Sequence, residues 1–234
     1  MTEPAAEGAA SGSDMHPMRT ILFDLDGTLV DSAADLHAAA DRMAERLGLA
    51  PFSRAEIVSW IGDGARALVE KALRARAHPF DRGAFDAFLA DYTANAAVET
   101  RPFDGIDAAL DALRAGGFRL AVCTNKPEAA ARALLQALGL ARHFAAIGGG
   151  DSFPVRKPDP RHLLATLDAA GGRAEAALMV GDHRNDVEAA NGALIPCVFA
   201  VWGYGTVQMA EGAAATAAHP ADLPALADRL VPSR

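Results

Sequence analysis

Basic charge is scarce in this chain. Of its 234 residues, 22 are Lys or Arg against 30 Asp or Glu, a formal net charge of -8. That balance argues against a general nucleic-acid binder, while leaving room for a local basic pocket. Cysteine is nearly absent. Cys123 and Cys197 form no metal-ligand or disulfide pattern, and a reducing, cytoplasmic setting fits such usage. No apolar run approaches the ~20 residues that a membrane span requires. Lysine is rarer still, at three residues. Two of the three, Lys126 and Lys157, fall inside motifs described below.

What is present is globular in character. Hydrophobic residues make up 51% and charged residues 22%, unlike the composition of a disordered chain. The length suggests one or two domains and a substantial buried core. Residues 1–18 are rich in Ala, Gly and Ser and read as a disordered tail rather than a secretory signal. Met15 and Met18 are alternative starts to Met1.

Regular patterning begins at Thr20–Phe23, a short apolar run that reads as a buried strand. Helical stripes follow. Leu36, Ala40, Met43 and Leu47 make the first, and Ser53 with Glu56 form a capping box before the second. Leu68, Val69, Ala72 and Leu73 make a third, and Phe85, Phe88, Leu89 and Tyr92 a fourth. No strand is expected between Val30 and Arg101. Beyond Pro102 the pattern alternates. Strands are expected at Phe118–Val122, Phe144–Ile147, Ala176–Val180 and Cys197–Val201. Helical stretches lie between them, one with Pro127 as its first residue, and a last helix is expected at Leu223–Leu230.

This alternation predicts an α/β fold: a Rossmann-like parallel sheet with helices on both faces. The helical block at 33–100 interrupts it after the first strand and reads as an inserted cap. The core is then 19–32 together with 101–234.

Ligands of such sheets bind beyond the carboxyl ends of the strands. The residues there are Asp24, Asp26 and Thr28, then Thr124, Asn125 and Lys126, then Asp151 and Lys157, then Asp182 and Asp186. Carboxylates gathered in one place need a cation or must take up protons. Mg²⁺ suits them, because it prefers oxygen ligands and is often held by few carboxylates plus a substrate phosphate. Lys and Thr supply charge and hydrogen bonds to phosphate oxygens. One carboxylate can attack phosphorus and another can move the proton. The combined reading is metal-assisted phosphoryl transfer. Each piece has a plainer reading as well. Asp-x-Asp-Gly-Thr is also a turn sequence, Thr124 a helix cap, Lys157 a solvated loop residue, and Asp182 with Asp186 a helix start. Their joint occurrence, each at a strand end and in this order, favours the chemistry.

Asp24-Leu25-Asp26-Gly27-Thr28-Leu29-Val30-Asp31-Ser32 resembles the first motif of the haloacid dehalogenase superfamily. Thr124-Asn125-Lys126-Pro127 resembles its second, Lys157-Pro158-Asp159-Pro160 its third, and Gly181-Asp182-His183-Arg184-Asn185-Asp186 its fourth. The resemblance implies a nucleophile and metal ligand at Asp24. It implies a general acid/base at Asp26, whose backbone carbonyl also meets the metal. Thr124, Asn125 and Lys157 would hold phosphate, Asp182 would be the remaining direct metal ligand, and Asp186 would orient water. An Asp at position 26 favours a phosphatase over a dehalogenase, since only an alcohol leaving group needs that proton.

Within the superfamily the chain is similar to phosphoglycolate phosphatases, through Trp60–Ala65, Leu68–Leu73, Gly148–Asp151 and Gly203–Gly205. His183 departs from the small hydroxyl residue usual there, and Asn191–Leu194 departs from an Ala-Gly pattern. Gly62, Asp63, Gly64 and Arg66 are candidates for substrate specificity. The Gly62–Gly64 turn can dip into the site as a cap closes, and Arg66 can meet a substrate carboxylate. The expected enzyme is a Mg²⁺-dependent phosphatase, a monomer or homodimer, acting on a small phosphorylated metabolite such as 2-phosphoglycolate. A sugar-phosphate or broad-range phosphatase, a phosphomutase and a non-catalytic sensor of a phosphorylated metabolite are the alternatives.

Overall fold

The computed structural model describes residues 18–233, so the expected tail lies outside the described residues except for Met18. Short apolar runs become the strands of one parallel sheet. In chain order these are β1 (Thr20–Phe23), β4 (Arg119–Cys123), β5 (Phe144–Gly148), β6 (Ala177–Gly181), β7 (Cys197–Ala200) and β8 (Ala215–Ala217). Their spatial order is β5-β4-β1-β6-β7-β8. β1 is central, with Ile21 beside both Leu120 and Leu178.

Successive side chains of these strands point to opposite faces. Ile21, Phe23, Leu120, Val122, Leu178 and Val180 enter one core with α5 (Ile106–Ala115), α6 (Glu128–Ala137) and α9 (Leu223–Leu230). Leu22, Ala121, Cys123, Ala177 and Met179 enter the other with α7 (Pro160–Ala169) and α8 (Arg184–Gly192). Burial on both faces explains why these strands read as continuous apolar runs. Each fully buried Leu, Ile or Phe contributes ~1.5–3 kcal/mol.

Four helices interrupt the sheet's chain order: α1 (Ala33–Arg46), α2 (Arg54–Trp60), α3 (Ala65–Ala75) and α4 (Arg82–Asn95). Their stripes bury a cluster of their own that includes Met43, Ile57, Leu73, Phe88 and Tyr92. The expected Ser53/Glu56 capping box starts α2. The chain enters and leaves this block through two short antiparallel strands, β2 (Val30–Asp31) and β3 (Arg101–Pro102). Buried Asp35 ties the two ends. Its carboxylate accepts from Thr100 N at 2.9 Å, Thr100 Oγ1 at 2.7 Å and Glu99 N at 3.0 Å.

The structure departs from the sequence reading in three places. β2 and β3 are strands at the very limits of a stretch read as strand-free, and each is too short to show a period. β8 was not expected, because Ala-Thr-Ala carries little strand preference. Pro127 is the N-cap of α6 rather than its first helical residue, with ψ at 139°; its ring restricts φ and permits that extended ψ.

Candidate active site

β1 stands where the strand order reverses, since the chain builds outward from it in both directions. The crevice at its carboxyl end is therefore the expected ligand site. The strand ends deliver Asp24 and Asp26 after β1, Thr124–Lys126 after β4 and Asp182 after β6. Lys157 comes from the loop after β5, and Asp186 from the first turn of α8.

Asp24, Asp182 and Asp186 meet. Each offers a carboxylate oxygen within 4.8 Å of the other two, and all are buried. Lys157 Nζ stands 2.9 Å from Asp24 Oδ1 and donates to Asp186 Oδ1 at 2.6 Å. The contact to Asp24 is an ion pair without hydrogen-bond alignment, so Asp24 Oδ1 is buried with no donor. Thr28 Oγ1 donates to Asp182 Oδ1 at 2.7 Å, and Tyr204 N donates to Asp182 Oδ2 at 2.8 Å. Asp186 also caps α8 by accepting from His183 N, so its plainer reading as part of a helix start holds alongside its place in the cluster.

Burial pushes Asp24 up to about 6, with Lys157 opposing the rise and Asp186 adding to it. Asp182 is pushed up to about 8, first by burial and then by Asp24 and Asp186. Burial pulls the Lys157 ammonium down, but Asp186 and Asp24 outweigh it and hold its proton firmly. One ammonium thus faces three buried carboxylates, one oxygen of which lacks a donor. This oxygen-only set fits a hard divalent cation.

Asp26 anchors a second group. Ser32 Oγ donates to its Oδ1 at 2.6 Å, and Lys126 Nζ donates to both oxygens at 3.2 and 3.3 Å. Lys126 also donates to the Tyr92 hydroxyl of α4. Thr124 is buried and accepts from Lys126 N at 3.2 Å, so it serves the local turn as well as lining the site.

The Gly62–Gly64 turn reaches this rim. Asn125 Nδ2 donates to Gly62 O at 2.9 Å and to Lys157 O at 3.0 Å. Asn185 Nδ2 donates to Asp63 Oδ1 at 2.8 Å, and Lys71 Nζ holds Asp63 Oδ2 at 2.6 Å. Burial pushes Asp63 up, but the bonds from Lys71 and Asn185 prevail and hold it below the usual carboxylate range. Gly62 and Gly64 have φ of 115° and 89°. A Cβ at Gly62 would lie 2.6 Å from the His183 ring, and one at Gly64 2.8 Å from Asn125 O. Only glycine lets the backbone come this close. His183 Nδ1 accepts from Asn185 N at 3.3 Å, and burial pulls its ring toward the neutral form.

A cavity of about 30 Å³ lies between this rim and the helical insertion. Asp24, Asp26, Thr124, Asn125 and Lys126 form its floor. Leu36, Ile61, Gly62, Gly64, Ala65, Leu68 and Tyr92 form the opposite wall. Arg66 is not among them. Its guanidinium pairs with Glu70 at 2.8 Å and lies 4.7 Å from the centre of the Phe80 ring.

A family model described as haloacid dehalogenase-like hydrolase matches residues 18–193. The chain belongs to that family. It is 44% identical over 194 residues to the phosphoglycolate phosphatase of Agrobacterium fabrum, covering 81% of this chain and 83% of that protein. Such relatives place it among the family's phosphatases, which hydrolyse phosphoric monoesters. A predicted phosphoglycolate phosphatase from Haemophilus somnus superposes with a TM-score of 0.83 at 30% identity, over 91% of this chain and 99% of that one. CbbY from Rhodobacter sphaeroides, solved with phosphate, superposes at 0.77 with 26% identity, over 88% and 96%.

In this haloacid dehalogenase-like chain, sequence reasoning missed four polar contributors. Ser32 and Asn185 lie inside quoted motifs, but spacing does not show what they touch. Tyr92 reads as part of an apolar stripe. Tyr204 carries no assigned role, yet its hydroxyl donates to Asp31 Oδ1 at 2.6 Å and accepts from Ser32 N at 2.7 Å. No sequence signal marked these four; lysine's rarity marked only Lys126, without giving it a partner.

Proposed function

We propose that this chain is a Mg²⁺-dependent phosphatase for a small phosphate monoester, with 2-phosphoglycolate as its leading substrate. The observation that carries the reading is the position of Lys157, 2.9 Å from Asp24 and 2.6 Å from Asp186 at the edge of the buried carboxylate triangle. Curated relatives named phosphoglycolate phosphatase support the substrate.

In this reading Asp24 attacks phosphorus while Lys157, Thr124 and Asn125 receive the phosphoryl oxygens. Asp26 gives its proton to the departing alcohol oxygen. That leaves an aspartyl-phosphate on Asp24. Asp26 then takes a proton from water as the water attacks phosphorus, and Asp24 is released with inorganic phosphate. The carboxylates of Asp24 and Asp182 and the backbone carbonyl of Asp26 would hold Mg²⁺, with Asp186 set to orient water. When bound, the ion neutralises carboxylate charge and the charge that builds on the phosphoryl oxygens.

Residues 33–100 act as the cap. Two cavities meet at the Gly62–Gly64 turn, one of about 30 Å³ beside Asp24 and Lys126 and one of about 300 Å³ beside Asp26 and Asp182, and a substrate that fills the smaller one requires the turn to lift from Asn125 and Asn185. Reclosure excludes water. The low-cysteine composition supports a cytoplasmic setting. Among the described residues no helix is long and apolar enough to cross a membrane.

The test is phosphate release from 2-phosphoglycolate, several sugar phosphates and nucleoside monophosphates, with and without Mg²⁺. Metal-dependent release that favours 2-phosphoglycolate is expected, with a loss of roughly 10⁴-fold or more in Asp24→Asn. A preference for a sugar phosphate would overturn the substrate, and a bisphosphate product would point to a mutase. Undiminished release by Asp24→Asn would overturn the mechanism.

A further inference from the structure

Lys126 has no part in the mechanism above, yet its side chain is 2% exposed and it lines the cavity. Burying an ammonium is costly unless it is paired. Asp26 pairs with it, and the Tyr92 hydroxyl is its second partner. An ammonium has three N–H donors, and its two contacts to Asp26 are long, at 3.2 and 3.3 Å, so an incoming anion can share them. Tyr92 accepts from Lys126 and keeps its own O–H. Burial, with Asp26 adding to it, raises the phenol well above its usual range, so that proton stays in place. The rest of the facing wall is largely apolar, contributed by Leu36, Ile61, Ala65 and Leu68. It offers little to a polyhydroxylated leaving group.

We propose that Lys126, assisted by Tyr92, is the specificity-determining residue for an anionic leaving group, and that it receives a carboxylate separated from the ester oxygen by a single carbon. The inference rests on the phosphatase reading of the same site. The spacing follows from Asp26. A general acid must lie within hydrogen-bond reach of the ester oxygen, and Lys126 Nζ lies 3.2–3.3 Å from that same carboxylate. A second anion that meets Lys126 therefore sits close to the ester oxygen.

The experiment compares kcat/KM for 2-phosphoglycolate with that for 2-hydroxyethyl phosphate, its neutral analogue of similar size, in the Mg²⁺-loaded enzyme. Both esters use Asp26, so their ratio isolates recognition of the carboxylate. The wild type should favour 2-phosphoglycolate, and Lys126→Met should cut that ratio by about 100-fold, the scale of a lost charge-assisted hydrogen bond. Tyr92→Phe should cut it less. A ratio unchanged in Lys126→Met, with both esters slowed alike, would make Lys126 only a strut for Asp26 and overturn the proposal. Should Lys126→Met fail to fold, Lys126→Arg decides through the same ratio. Retention of most of the preference supports recognition by charge, and loss of both activities together opposes it. Phosphorylated 3-hydroxypropanoate, one carbon longer, tests the spacing, because equal turnover of the two acids would overturn it. If the wild type hydrolyses sugar phosphates but neither 2-phosphoglycolate nor its neutral analogue, the substrate reading falls and the inference falls with it. Efficient hydrolysis without preference for the acid sinks the inference alone.

Discussion

Asp182 carries the heaviest electrostatic burden in the chain's site. Burial, then Asp24 and Asp186, push it up to about 8, and burial pushes Asp24 up to about 6. Both folded-state values lie above the ordinary carboxylate value of 3.8. The folded protein therefore keeps protons that the unfolded chain releases, and the linkage sign is fixed. The stability that these two groups confer is complete below the unfolded value and is lost as pH rises through the folded ones. Without a cation, the melting temperature should therefore fall from about pH 4 to about pH 8 through this cluster. Mg²⁺ should restore most of it at the alkaline end, since a ligand that binds only the folded state stabilises that state. Asp182→Asn removes the burden. Its metal-free form should melt above the wild type near pH 8, and added Mg²⁺ should then shift it little. Thermal melts of both proteins across that range check this. A flat metal-free profile in the wild type would show that the carboxylates are compensated by something other than a cation. The two cysteines take no part in such behaviour. Cys123 is pushed up to about 12 by burial and Cys197 is raised well above its usual value, so both stay thiols.

Among the elements, the Gly62–Gly64 turn joins the helical insertion to the rim of the sheet. Gly62→Ala places a methyl group against the His183 ring in a backbone conformation that alanine rarely adopts. The turn must shift, and with it Asn125 and Asn185. A displacement of that kind costs up to ~10²-fold in kcat/KM, while the sheet core, far from the substitution, keeps its melting behaviour. Steady-state kinetics beside a thermal melt separate the two effects, and equal activity with an intact turn would show that closure does not depend on this approach. The same turn marks a limit of sequence reading. Its glycines were legible as a flexible connection between two stripes, but the partners were not, because Asn125 and Asn185 lie far along the chain. Strands declared themselves where burial on both faces made a continuous apolar run, as in β1, whose expected bounds match those observed. They stayed hidden where two residues suffice, as in β2 and β3, or where Ala dominates, as in β8.

Over the whole molecule, one topological fact organises the chemistry. The sheet builds outward from β1 in both directions, so residues more than a hundred positions apart meet at its carboxyl end. Asp24, Lys157, Asp182 and Asp186 were legible because each belongs to a motif at a strand end. Ser32, Tyr92 and the pairing of Lys126 with Asp26 were not, since those contacts exist only once the helical insertion folds back over the sheet. Arg66 shows the reverse. Its place in the sequence beside the turn suggested a substrate contact, but on the folded helix it sits one turn before Glu70 and pairs with it. In the proposed reaction Asp24 forms a covalent acyl phosphate during turnover. The most direct test is acid quenching of the Mg²⁺-loaded enzyme during hydrolysis of 2-phosphoglycolate, followed by borohydride reduction and peptide mass spectrometry. Reduction of an aspartyl-phosphate yields homoserine, so homoserine is expected at position 24 in the turning-over enzyme and none without substrate. Efficient turnover with unmodified Asp24, or with homoserine at another aspartate, would contradict it.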